Sequence, residues 1–121
     1  VETKDNHIMH EVAIVNDLFR IILDVAEKEQ LNRVDKVHFQ VGRMMQVVPE
    51  LFRFAFDSAK ERTIASGAEL EIEFLPVRME CRHCGHAFNV EDQTFACPQC
   101  RGVDLKLLQG KELFIKSIEG E

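Results

Sequence analysis

Cys81-Arg82-His83-Cys84 and Cys97-Pro98-Gln99-Cys100 hold all four cysteines of the chain, as two C-x-x-C pairs with 12 residues between them. Each pair can wrap one edge of a tetrahedral ion, and a hairpin between them brings the two edges together. Thiolate sulfur suits a borderline-soft d¹⁰ ion, so the expected cofactor is Zn(II) on Cys81, Cys84, Cys97 and Cys100. Four protein ligands close the shell and leave no position for water or substrate. Such a zinc is structural, and its binding supplies folding energy that a small module lacks. Gly85 and Gly102 follow the two pairs and suit tight turns that need positive φ. The spacing also fits the iron knuckles of a small redox carrier, although the module is a minority of the chain, which favours zinc. Thioredoxin-like chemistry fits less well, because neither pair opens a long helix after a strand.

Other metal-capable residues are scattered. His83 and His86 flank the first pair and read as exposed hairpin residues; the sharper alternative is that one replaces a thiolate and titrates beside the site. Met9-His10-Glu11 sets a His-Glu pair at a helix start, which on composition alone is a solvated first turn. His7 and His10, three apart, can share a helix face. Glu69, Glu71 and Glu73 read as an exposed acidic strand face that keeps an edge soluble. Met44-Met45 offers soft thioethers, with loop packing the default. The chain has no Ser/His/Asp set, Gly-rich phosphate loop or H-E-x-x-H motif, so an enzyme is not expected.

The 15 Lys and Arg against 21 Asp and Glu give a formal charge of −6. That disfavours a nucleic-acid binder, whose affinity comes largely from neutralising phosphates. The cysteine region carries no local basic excess either: four bases and four acids lie between Arg78 and Lys106. No apolar run approaches a membrane span and no secretory signal appears, so a soluble, cytoplasmic protein is expected. In a reducing compartment, cysteine pairs hold metal more readily than disulfides. With 121 residues and neither Trp nor Tyr, nine Phe must supply the aromatic packing of one domain and a small satellite.

The elements that position these residues follow from periodicity. Ile14, Leu18, Ile22 and Val25, widened by Val15, Phe19 and Ala26, predict a helix over about 10–30. Val37, Phe39 and Val41 alternate with Lys36, His38 and Gln40 in a strand over about 34–42. Pro49 suits a first helical turn, and Leu51, Phe52, Ala55, Phe56 and Ala59 continue a helix over about 49–64. Leu70, Ile72 and Phe74 alternate with the glutamates in a second strand that Pro76 closes. Residues 77–108 form the cysteine module, and 112–118 a returning strand. The expected fold is α+β: two helices on one face of a small three-stranded mixed sheet, with an inserted four-cysteine zinc-ribbon module. The first two strands run parallel if they share the sheet, and the last adds antiparallel. The domains are then 9–76 with 109–119, the module 77–108, and 1–8 as an N-terminal extension that reads as a processing or expression remnant.

Several short segments, in order, carry a resemblance. They are Met9-His10-Glu11; Val41-Gly42; Val48-Pro49-Glu50-Leu51 with Phe54-Ala55-Phe56; Gly67-Ala68-Glu69-Leu70; both cysteine pairs; and Gly110-Lys111-Glu112-Leu113. Over about residues 9–119 the chain resembles the HypA/HybF family of nickel metallochaperones for hydrogenase maturation. The resemblance implies a nickel site on His10, completed by backbone nitrogens of the first residues and by Glu11. Imidazole and deprotonated amide nitrogen favour Ni(II) in square-planar or tetragonal geometry. It also implies a nickel-binding maturation GTPase as partner and a hydrogenase large subunit precursor as recipient, with urease a second destination. Family members offer the free amine of their first Met, whereas Met9 is internal here. An exposed sheet edge leaves a homodimer open. The alternative reading is a zinc-ribbon module for protein or nucleic-acid interaction.

Overall fold

The apolar stripe of the first helix faces inward: Ile14, Val15, Leu18, Phe19, Ile22 and Ala26 are all buried. In the computed structural model, which describes residues 2–121 with side chains from His10 onward, α1 spans Glu2–Lys28. It begins upstream of the expected start, because polar residues extend a helix without extending its apolar period. Its end is a Schellman closure. Gln30 sits at φ 56°, Leu31 N–H donates to Ala26 O at 2.8 Å, and Gln30 N–H to Glu27 O at 3.1 Å. A glutamine takes the left-handed position that glycine usually fills.

The strand β1 (Val34–Gly42) buries Val34, Val37, Phe39 and Val41 and leaves Lys36, His38 and Gln40 half-exposed. A 3₁₀ turn, Arg43–Met45, leads into α2 (Pro49–Lys60), which opens on Pro49 at its first turn and buries Phe52, Ala55 and Phe56. Phenylalanine packing joins the layers. Phe19 of α1 lies 5.2 Å from Phe56, and Phe39 of β1 meets Phe52 edge-on at 5.5 Å and Phe56 at 6.2 Å. The helix α2 stops four residues before the expected 64. Thr63 explains the early stop: its Oγ1 donates to Lys60 O at 2.6 Å and accepts from Ala65 N–H at 3.0 Å. That local turn competes with another helical turn.

Strands β2 (Glu69–Leu75) and β6 (Leu113–Gly120) flank β1, in the order β2-β1-β6. The ion pairs Lys36–Glu71 (2.8 Å) and His38–Glu73 (3.2 Å) advance together along β1 and β2, so that pair is parallel. Arg33 and Glu121 exchange backbone bonds, and Gly42 N–H donates to Glu112 O, so β1 and β6 are antiparallel. The sheet is therefore small, three-stranded and mixed, as the crossover argument requires.

The cysteine region builds its own sheet from β3 (Arg78–Cys81), β4 (Ala87–Asn89) and β5 (Leu105–Gln109), in the antiparallel order β4-β3-β5. Met79 faces Phe88 on one side and Leu107 on the other. Met79, Cys81, Phe88 and Cys97 form a separate small core, packed by Val77, Val90, Leu105 and Leu107. By backbone contacts the chain forms two compact units. One comprises Val1–Phe39, Val47–Glu73 and Phe114–Glu121, the other Gln40–Gln46 and Phe74–Leu113. No helix among the described residues is long and apolar enough to cross a membrane.

Candidate metal centre

Two turns of the same shape present the cysteines. In the first, Gly85 at φ 80° donates its N–H to Cys81 O at 2.8 Å. In the second, Arg101 at φ 64° donates to Cys97 O at 2.7 Å. The expectation that Gly102 supplies positive φ is thus corrected, since Arg101 occupies that position. Gly102 is small for another reason. A Cβ there would stand 3.2 Å from Cys100 Sγ and 3.6 Å from Cys81 Sγ. Its N–H instead approaches Cys100 Sγ at 3.4 Å, and its carbonyl accepts from Cys97 N–H at 2.8 Å. A Cβ would crowd Cys100 Sγ by a few tenths of an ångström, so bare backbone suits this approach to sulfur.

The four Sγ atoms lie within 4.8 Å of one another, and among the described residues no other group of His, Cys, Asp and Glu does so. Cys81–Cys100 are 3.5 Å apart and Cys84–Cys97 3.6 Å. Those gaps exclude disulfides, whose bond is about 2.05 Å. They approach the edge of a tetrahedron with zinc–sulfur bonds of about 2.3 Å, which is roughly 3.8 Å. The first cysteine of each pair, Cys81 and Cys97, is buried, while Cys84 and Cys100 reach the surface. The donor set therefore fits a tetrahedral soft-to-borderline ion with no ligand position to spare. It is a four-cysteine metal-binding site.

The thiols pull one another's pKa values apart. Burial pushes Cys97 up, but N–H groups of Cys100 and Gln99 and the neighbouring thiols outweigh it and bring Cys97 to about 7. Cys100 is drawn down by Gly102 N–H but pushed further up, by Cys81 first, to about 12. The Cys84 N–H leads in holding Cys81 low. The His86 N–H favours the Cys84 thiolate, but burial and the Cys97 and Cys81 thiols raise it overall. Four like charges this close cannot all form without a counter-ion, and a divalent cation removes that conflict.

The histidines beside the cage do not enter it. His83 is exposed. His86 is half-buried, its ring stacked on Phe88 at 6.0 Å and its carbonyl taking Cys81 N–H at 2.9 Å. On the acidic strand face, Glu71 pairs with Lys36, and Glu73 with His38 and Lys116. His10 stands exposed in α1, whereas Glu11 beside it is fully buried. Glu11 Oε2 accepts from Val48 N–H at 2.8 Å. The pairing considered for His7 and His10 lies outside the described residues, because the His7 side chain is not among them. Sequence periodicity had no means to find the Glu11–Val48 contact, which joins residues 37 apart.

Residues 9–120 match the family described as hydrogenase/urease nickel incorporation, metallochaperone, HypA. The hydrogenase maturation factor HypA of Dehalococcoides mccartyi strain CBDB1 is 34% identical over 111 residues, covering 92% of this chain and 93% of that protein. That of Caldanaerobacter subterraneus is 35% identical over 114 residues, covering 93% of this chain and 100% of the relative. Among solved structures, the nickel metallochaperone HypA from Helicobacter pylori superposes with a TM-score of 0.66 at 26% identity, over 91% of this chain and 96% of that one. A second HypA solution structure gives 0.70 at 27% identity, over 93% and 97%. Matched by the family model over residues 9–120 and about a third identical to these relatives over more than nine-tenths of its length, the chain belongs to the HypA family of hydrogenase and urease nickel-incorporation metallochaperones.

Proposed function

We propose that this chain carries Ni(II) to the maturation of [NiFe]-hydrogenase, with urease a further destination, and that it binds and releases metal without catalysing a reaction. The observation behind this reading is the family match that begins at Met9-His10-Glu11 and runs through the four-cysteine cage to residue 120. Cys81, Cys84, Cys97 and Cys100 would hold Zn(II), which ties the two turns together. A cargo ion has no opening in that shell, so nickel belongs elsewhere. His10 is the ligand proposed for it: an exposed imidazole in α1, joined by backbone nitrogens of the residues before it. The remaining residue of that motif, Glu11, has one oxygen engaged by the Val48 N–H.

Backbone ligation has a structural cost. A deprotonated amide can no longer donate to the carbonyl four residues back, so loading nickel unwinds the part of α1 that supplies the ligands. Proton competition at imidazole and amide makes the complex weaken in acid, which suits a carrier that must let go. The cargo then passes in the cytoplasm to a nickel-binding GTPase and on to the hydrogenase large subunit precursor. The test is nickel titration of the zinc-loaded chain and of His10→Ala. The substitution should abolish specific nickel binding while zinc stays near one per chain. Undiminished nickel binding by His10→Ala would reject the reading.

A further inference from the structure

Glu11 is the charged side chain that the described part of the fold hides completely. Burying a carboxylate is costly unless its oxygens are bonded, and here only one is. Oε2 takes Val48 N–H at 2.8 Å, while Oε1 is buried with no partner among the described residues. Val48 is the N-cap of α2, and no side chain caps it from within its own segment. Pro49 follows and brings no N–H. In a capping box, a Glu or Gln at the third helical position reaches back to the N-cap N–H. That position in α2 is Leu51, which cannot do so. Glu11 performs this service from the neighbouring helix, with its charge at the positive end of the α2 dipole.

The placement along α1 gives the latch a use. Glu11 is the residue immediately after His10, so α1 is fastened to α2 at the first position beyond the proposed ligand. We infer that Glu11 is a positioning residue for nickel, acting through Val48 and not through the metal. It marks where unwinding of α1 must stop when backbone nitrogens leave the helix to bind cargo. Without the latch, loading would loosen further turns, and each freed residue adds conformational entropy that binding must overcome. This inference rests on the nickel reading above, and the test separates the two.

Nickel titrations of zinc-loaded Glu11→Ala, Glu11→Gln and His10→Ala are compared with the unmodified chain, alongside hydrogen exchange at the Val48 amide. Glu11→Ala removes a charge-assisted hydrogen bond, so nickel should bind about tenfold more weakly. Glu11→Gln keeps a carbonyl acceptor for Val48 and should recover most of that loss, to within about threefold. The Val48 amide should exchange slowly in the unmodified chain and in Glu11→Gln, with and without nickel, and fast in Glu11→Ala. If Glu11→Gln binds as weakly as Glu11→Ala, the carboxylate acts on the metal directly and the inference falls. It falls equally if Glu11→Ala binds nickel as well as the unmodified chain. Unchanged nickel binding by His10→Ala would instead remove the nickel reading, and slow Val48 exchange in nickel-free Glu11→Ala would then also refute the latch itself.

Discussion

Replacing Gly42 by alanine adds one methyl group where two backbone segments cross. Its Cβ would stand 2.0 Å from Gly110 O and 2.6 Å from Lys111 N. Real Cβ contacts do not fall below 3.0 Å, so the segments must part by at least about 1 Å, and backbone cannot swing aside as a side chain can. Two hydrogen bonds cross this junction: Gly42 N–H to Glu112 O at 2.7 Å and Met44 N–H to Gly110 O at 2.9 Å. At about 1 kcal/mol net for each bond, plus roughly 1–3 kcal/mol for overpacking, the substitution should destabilise by about 3–5 kcal/mol. Gly67 is the control, since nothing lies within 4 Å of a Cβ built there. Its alanine variant should change stability by no more than about 1 kcal/mol. Urea unfolding of both zinc-loaded variants, followed by circular dichroism, measures the difference. A Gly42→Ala protein within about 0.5 kcal/mol of the parent would refute the argument, because surface substitutions alone span that range.

Three further outcomes are expected. Cys81→Ser should lose stoichiometric zinc and disorder the sheet around Met79 and Phe88, while the helical signal of α1 and α2 persists; metal counting with far-ultraviolet circular dichroism checks both halves. Asp35 should titrate below the ordinary aspartate value, because the Arg33 guanidinium bonded to it at 2.6 Å favours the carboxylate. A depressed folded pKa contributes stability above the unfolded value that is lost as pH falls through the folded one, so Asp35→Asn should flatten the acid limb of the stability profile, while an NMR titration reads the shift directly. Arg101→Gly relieves a non-glycine residue at φ 64° and should stabilise the module by about 0.5–1 kcal/mol, seen as slower zinc loss to a chelator; faster loss would show that the arginine side chain contributes more than its backbone strain costs.

The sequence made the elements legible wherever one face of a helix or strand is buried. The stripe from Ile14 to Ala26 and the alternation from Val37 to Val41 correspond to buried faces. The ends were less legible, for reasons that residue type does not announce. Gln30 adopts the left-handed conformation and closes α1, Thr63 ends α2 through its hydroxyl, and polar residues carry α1 upstream of its apolar period. The cysteine spacing pointed to the cage, because the i, i+3 rhythm of a metal knuckle is itself local. Which residue of the second knuckle turns left-handed was not legible, since Arg101 and Gly102 are adjacent and only geometry separates turning from close approach. His10 carried almost no signal of its own. Glu11's burial carried none, because it depends on the arrival of Val48 from 37 residues away.

Retention and release ask opposite things of a metal site, and the cysteine cage and the site proposed at His10 differ accordingly. At the cage, burial of Cys81 and Cys97 keeps water from half the donor atoms, and backbone N–H groups of Cys100 and Gly102 point at sulfur. With those donors favouring thiolate, loss of a bound cation would leave crowded sulfurs that must take up protons. Leaving is therefore opposed by the structure that remains. The His10 imidazole, by contrast, is exposed, and the backbone nitrogens proposed to join it lie in a helix. On the proposed nickel reading, release of the ion would let the helix re-form and offset part of the lost binding energy. On the same reading, the Glu11 latch would confine that exchange to a few residues, so α1 could yield its first turns without surrendering the buried Phe19 and Ile22 side chains.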